Sequence, residues 1–254
     1  MPLRFALFLA ALLLGTWLRA APPDDALFTA LLRDHVRGDE VDYRRIKKDP
    51  RLDAFLAQLA ATDPASLPSR DARLALWINA YNAYTLKLIT SVHPVDTIRE
   101  ITALGRTGEA ATAKPWDIPF AVVGGQTYTL EHIEHQIIRP QFKDARIHFA
   151  LVCAAVSCPK LRAEAYVAAR LDDQLNDQGR WFLTHRNTLD GRRRTAQLSQ
   201  LFTWFADDFG GTPANILNFV ADFATPDLAQ SLRQNPERWT LTSLDYDWSL
   251  NDRQ

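Results

Sequence analysis

From Ser69 to His93 the chain is apolar on almost every side of a helical projection. Ser69 can cap a helix whose first turn holds Asp71 and which runs from Ala72 to Thr90 before stopping at His93-Pro94. A helix without a polar face has to be covered all round, so this stretch predicts a buried central helix on which the rest of the chain packs. Arg73 and Lys87 bracket too short a span for a membrane crossing. Asn79 and Asn82, one turn apart, become buried amides that need partners. They either tie down neighbouring loops or serve a reaction by orienting an imidazole or donating to an oxyanion.

Shorter elements surround it. Residues 24–36 and 52–61 read as amphipathic helices, with a short extended piece at Val41–Tyr43. Residues 118–123 and 126–130 read as a β-hairpin turned by Gly124-Gly125. Further helices are expected over 164–184, 201–209, 213–223 and 227–233, then an extended, aromatic-rich tail, 239–251, that docks on the domain. The expectation is an α+β fold: one mostly helical domain over residues 22–254 around a small, mainly antiparallel sheet of 118–123, 126–130 and 146–153. Helix content read this way is about 45%.

The third of those strands carries the thiols. Ile147, Phe149, Leu151 and Cys153 alternate with His148, Ala150 and Val152, the period of a strand packed on both faces. It runs out into the small-residue loop Ala154-Ala-Val-Ser157, which holds the two cysteines, Cys153 and Cys158, at its ends. A thiol at the end of a buried strand, beside a loop with little steric cover, is a nucleophile position. Strict alternation points His148 to the face opposite Cys153.

Just ahead lies a helix over Leu130–Arg139, capped by Thr129 and ending at Pro140. Leu130, Ile133, Ile137 and Ile138 form its apolar arc, and Glu134 falls inside that arc. A buried carboxylate is costly unless hydrogen-bonded or paired. His135 sits on the flank of the arc and His132 faces away.

Met1–Arg4 is a short basic start, Phe5–Leu18 an apolar run, and Arg19-Ala20-Ala21-Pro22 a small-residue zone, the pattern of a secretory signal over residues 1–21. The run is short for a membrane span, so export to the periplasm or medium is expected, with no stable membrane anchor after signal removal. A net charge of −1 gives no support to a nucleic-acid partner.

Three chemistries compete for these residues. In the first, Cys153 is a nucleophile served by a histidine, His135 or His148, with a carboxylate or amide orienting the ring; the alternation favours His135. In the second, His132, His135, His148 and a cysteine hold zinc, but an H-x-x-H pair diverges by about 300° on a helix, unlike the i, i+4 zincin pair. No metal and no cofactor are therefore expected. In the third, the protein is a non-catalytic exported scaffold clamped by a Cys153–Cys158 disulfide.

Leu76–Ala83, Leu130–Arg139, His148–Pro159 and Tyr246–Asn251 together resemble the family called domain of unknown function 547, in order and over about Val41 to Asn251. The resemblance implies functional weight at Asn79, Asn82, Glu134, His135 and Cys153. Plant members resemble Ser-Ser-Pro where this chain has Ser157-Cys158-Pro159, which favours Cys153 over Cys158 as the working thiol. The family is similar, distantly, to papain-like and transglutaminase-like thiol enzymes; because His135 precedes Cys153, a permuted papain-like core is implied. The resulting expectation is a thiol-dependent hydrolase or transferase acting on a peptide or amide bond of a peptide or protein substrate. Cys153 attacks, His135 activates, and Glu134 orients the ring, or else Glu131 or Asn79 does, since neighbours on a helix diverge by about 100°. A thiol made reactive in this way is also easily oxidised, and Cys158 is then its resolving partner in a reversible, inactivating disulfide.

Overall fold

The computed structural model describes residues 22–253; the expected leader, residues 1–21, lies outside them. The central helix is Arg70–Val92, with the Ser69 hydroxyl accepting from the Ala72 N–H at 3.1 Å. Every residue from Leu74 to Leu86 is buried. Helices Asp25–His35 and Pro50–Ala61 cover one side of it, and Phe28 stacks on Phe55 between them at 4.4 Å. The hairpin Ala121–Val123 and Gln126–Tyr128 covers another side, hung from the central helix by the Tyr84 hydroxyl on the Val122 carbonyl at 2.6 Å. Its turn places Gly124 and Gly125 at φ 58° and 76°, which a side chain would strain. The two glycine N–H groups close the end of the Pro50–Ala61 helix on Leu59 and Ala60.

A second apolar cluster, rich in phenylalanine, forms from Phe149, Phe182, Phe202, Phe209 and the helix Pro213–Ala221. Beside it lies a three-stranded sheet in which Thr188–Asp190 pairs antiparallel, and Thr240–Ser243 parallel, with Thr195–Leu198. The remaining sheets are two-stranded antiparallel pairs. The α+β class stands, at about 54% helix, but strands are dispersed around the helices in small pairs.

The expected strand 146–153 does not form. Ala145–Phe149 is a 3-10 helix, with the Asp144 carboxylate capping the Arg146 N–H at 3.1 Å, and the chain beyond is irregular. Buried amides take the place of a neighbouring strand. Asn82 donates to the Ala150 carbonyl at 2.9 Å and accepts from the Val152 N–H at 3.1 Å, and Gln178 donates to the Phe149 carbonyl at 3.0 Å. With its backbone satisfied by side chains, the segment can be buried without joining a sheet. The alternation of apolar residues reflected burial from all sides: Ile147, His148 and Phe149 in succession are each at most 3% exposed.

The helix beginning at Leu130 also departs from expectation, passing through Pro140 to Phe142. Its middle, Ile133–Ile138, is a π-helical turn, with the Arg139 N–H bonded to the Glu134 carbonyl. The wide turn falls immediately before Pro140, which has no N–H to donate and would crowd a carbonyl in a regular α-register. Leu130, Ile133, Glu134, Ile137 and Ile138 all face inward and His132 is exposed, as the arc requires. No helix among the described residues is long and apolar enough to cross a membrane.

Candidate functional site

Between the central helix, the π turn, the thiol loop and the C-terminal tail lies a cavity of about 200 Å³. Cys153, Cys158, Glu134, His135 and His148 all line it.

Its thiol wall is built on three supports. Asn82 holds the chain before Cys153. Ala154 then turns it back through a left-handed conformation, φ 62°, rare for a residue with a side chain. The tail lies along the far side, with Val156 N–H on Ser249 at 2.9 Å, Ser157 N–H on Asp247 at 3.2 Å, and Asn251 N–H on Ala154 at 3.0 Å. This docking carries Tyr246 to the sulfur, its hydroxyl 3.2 Å from Cys153 Sγ. Cys153 is half-buried, Cys158 is buried, and both are free thiols with Sγ atoms 3.0 Å apart. As a thiolate, Cys153 Sγ thus has three groups in place to donate to it: the Cys158 thiol, the Tyr246 hydroxyl and the Ala155 N–H. The Cys158 contact is the largest influence on Cys153 and, with the other two, holds its pKa below the ordinary cysteine value against the opposing effect of burial. Cys158 is pushed the other way, chiefly by burial, and keeps its proton.

The opposite wall holds the acids and bases. Glu134 is buried, and burial raises its carboxyl to about pKa 7 against a hydrogen bond from Tyr81. The carboxyl lies 3.7 Å from Nδ1 of His148. Nε2 of His148 meets the Asp208 carboxylate at 2.7 Å, and the Phe205 ring stacks on the imidazole at 3.9 Å. Burial lowers the pKa of His148, while His148 and Arg139 hold Asp208 well below the usual carboxylate range. The neutral ring therefore carries its proton on Nε2, toward Asp208.

His135 has different partners. Arg139 donates to its Nδ1 at 2.6 Å, which leaves the proton on Nε2, 3.4 Å from Glu131. Arg139 in turn clasps Asp208 through Nε at 2.6 Å and Nη2 at 3.1 Å, joining both imidazoles into one network. Burial, the largest influence on His135, lowers its pKa.

Several assignments change with this geometry. Glu134 orients neither face of His135; the π turn sends it toward His148 and Tyr81, and Glu131 takes the His135 contact. His148 joins Cys153 at the cavity, because without a strand its neighbours need not alternate between faces. Asn79 stands apart from the cavity: it exchanges two hydrogen bonds of 2.8 Å with the Tyr166 backbone and bonds Asp25, holding a loop. Asp208 and the Tyr246 hydroxyl were not found from sequence, since each acts through a partner 60 or more positions away. The Tyr246–Asn251 block was the only signal near either. The described residues contain no grouping of three or more His, Cys, Asp and Glu arranged to hold a metal ion.

The fold and the cavity define a class: an α+β protein with a thiol pair facing one buried and one half-buried imidazole and a buried carboxyl. Residues 64–183 match the family model described as "Protein of unknown function, DUF547". No curated protein and no solved structure is a match, so the papain-like kinship rests on no comparison.

Proposed function

We propose that the cavity carries out thiol-dependent acyl transfer, hydrolysis or transfer at a peptide or amide bond, with Cys153 as nucleophile. The observation that carries the reading is the set of three donors on Cys153 Sγ at the cavity wall. Such a set favours the thiolate, the reactive form, without an imidazole bonded to sulfur. The thiolate attacks the carbonyl carbon and the C–N bond breaks, so the departing nitrogen needs a proton. Glu134, with a carboxyl near pKa 7 on the facing wall, is matched to giving it and to taking one from the water or amine that releases the acyl group. His148 and His135, steadied by Asp208 and Arg139, flank that carboxyl. The substrate is a peptide or protein met outside the cytoplasm, since the pattern of residues 1–21 supports export; the N-terminus of the mature protein tests that part.

An acylating probe that mimics an amide tests the chemistry. Saturable labelling should disappear in Cys153→Ala and persist, slowed by the lost donor, in Cys158→Ala. Equal labelling of wild type and both variants would overturn the reading and leave a scaffold.

A further inference from the structure

We infer that Cys153 and Cys158 form a reversible oxidation site, in which a small hydroperoxide oxidises Cys153 and Cys158 resolves the product as an intramolecular disulfide. The inference does not depend on acyl transfer, since it needs only the two sulfurs and access to one of them.

Access is unequal. Cys153 is half-buried on the wall of a cavity with room for a small molecule, whereas Cys158, 3% exposed, lies behind it. The Cys158 sulfur is 3.0 Å from Cys153 Sγ and also accepts the Cys153 N–H at 2.9 Å. The four intervening residues are already folded back by Ala154 and pinned by the tail at Val156 and Ser157. Closing the bond draws the sulfurs together by about 1 Å, to the roughly 2.05 Å of an S–S bond, and the entropy of a loop this short contributes little stability. A structural clamp would be expected to span a longer loop or a mobile one; this loop is held by Asn82 and by the tail with both thiols free.

The chemistry balances in two steps. The Cys153 thiolate attacks one oxygen of the O–O bond; an S–O bond forms, the O–O bond breaks, and the departing alkoxide or hydroxide takes a proton, for which Glu134 is the nearby acid. Sulfur has then lost two electrons and is a sulfenic acid. Cys158 attacks that sulfur, the S–S bond forms, and the hydroxyl leaves as water with the proton of the Cys158 thiol. A favoured thiolate on Cys153 suits the first step; in the second, the Cys158 proton passes to the departing hydroxyl as its sulfur attacks from 3.0 Å. A dithiol restores the pair by taking the disulfide bond onto itself. Oxidation removes the nucleophile from the cavity, so the same event switches acyl transfer off.

The test uses the reduced full chain, hydrogen peroxide and mass analysis of the tryptic peptide Ile147–Lys160, which holds both cysteines. The wild-type peptide should lose the mass of two hydrogens and regain it with dithiothreitol. Cys158→Ser should instead accumulate a dimedone-trapped sulfenic acid at Cys153, and over-oxidise to sulfinic acid at least about tenfold faster than wild type. Equal over-oxidation in the two proteins, or two thiols that stay unreacted, would overturn the proposal. So would a disulfide whose reduction lowers the Tm by many degrees, the mark of a clamp. None of these readouts involves an acyl substrate, so failure of the oxidation site and failure of the acyl-transfer reading remain separable.

Discussion

The family segment, residues 64–183, and the chain after it contribute to the cavity in different ways. The segment supplies the thiols, both imidazoles, Glu131, Glu134 and Tyr81. The later residues supply Asp208, which fixes His148 and Arg139, the Tyr246 hydroxyl on Cys153, and the rings of Phe205, Trp204 and Trp248 that wall the space. Trp204, Tyr246 and Trp248 also pack on one another, with centroids 4.6 to 5.7 Å apart. Reactive groups thus sit in one stretch of sequence, and two of the groups that set their protonation and orientation, Asp208 and Tyr246, come from another. Changes in the later residues should alter how the cavity works without removing any reactive atom.

Asp208→Ala tests that division most severely. It leaves a buried His148 N–H without its acceptor and an Arg139 guanidinium without its carboxylate. Partial exposure, 27% for the Asp208 side chain, softens the penalty, and a loss of about 3 kcal/mol is expected by urea unfolding. Labelling of Cys153 should fall with it. Unchanged stability and labelling would mean that the later residues only cover the cavity.

Glu134→Gln sharpens the same contrast from inside the segment. The carboxyl ordinarily titrates near 4.5 and is raised to about 7 here by burial. Between those values the folded state holds a proton that the unfolded chain has lost, so stability falls as pH rises through that window and levels off above it. Glutamine carries no charge, so the variant should match wild type below about pH 4.5 and gain up to roughly 3 kcal/mol above pH 7. Melting temperatures of both proteins across pH 4 to 8 check it; parallel curves would remove Glu134 as a neutral acid. Acyl transfer should be lost in the variant even where it is more stable.

Asn79 and Asn82 separate support of the fold from support of the site on a single helix. Each satisfies two buried backbone groups, so alanine at either should cost about 2 kcal/mol. Only Asn82→Ala frees the chain leading into Cys153, and only there should probe labelling slow, by about tenfold or more. Equal slowing in both would return Asn79 to the site.

The sequence spoke where a signal was local. A helix apolar on every face, a glutamate inside an apolar arc and a pair of glycines between short runs each have one physical solution, and the central helix, the inward Glu134 and the hairpin are all present. It misled where burial was complete. A segment covered on every side by Asn82, Gln178 and the phenylalanine cluster shows the same apolar alternation as a strand, and assigning His148 to the wrong face followed from that. It was silent on Asp208, whose neighbour Asp207 looks the same in sequence and lacks its place beside Arg139 and His148.

Tyr246→Phe is the gentlest change and bears most directly on what the tail contributes. The ring stays, so its contacts with Trp204 and Trp248 persist and the melting temperature should move little. What is lost is one of three donors on Cys153 Sγ, the one the tail brings. Burial lifts the phenol pKa far above its ordinary value, so Tyr246 keeps its proton and acts as a donor to the sulfur rather than as a competing anion. Removing a hydrogen bond of this kind costs the thiolate about 1 kcal/mol, which raises the Cys153 pKa. The pH dependence of alkylation of the reduced protein reads that shift: the profile should move to higher pH, with the limiting rate at high pH nearly preserved. An unmoved profile would reduce the tail to a cover. A profile that moves by the same amount in Trp248→Leu would assign the effect to the position of the tail and not to the hydroxyl.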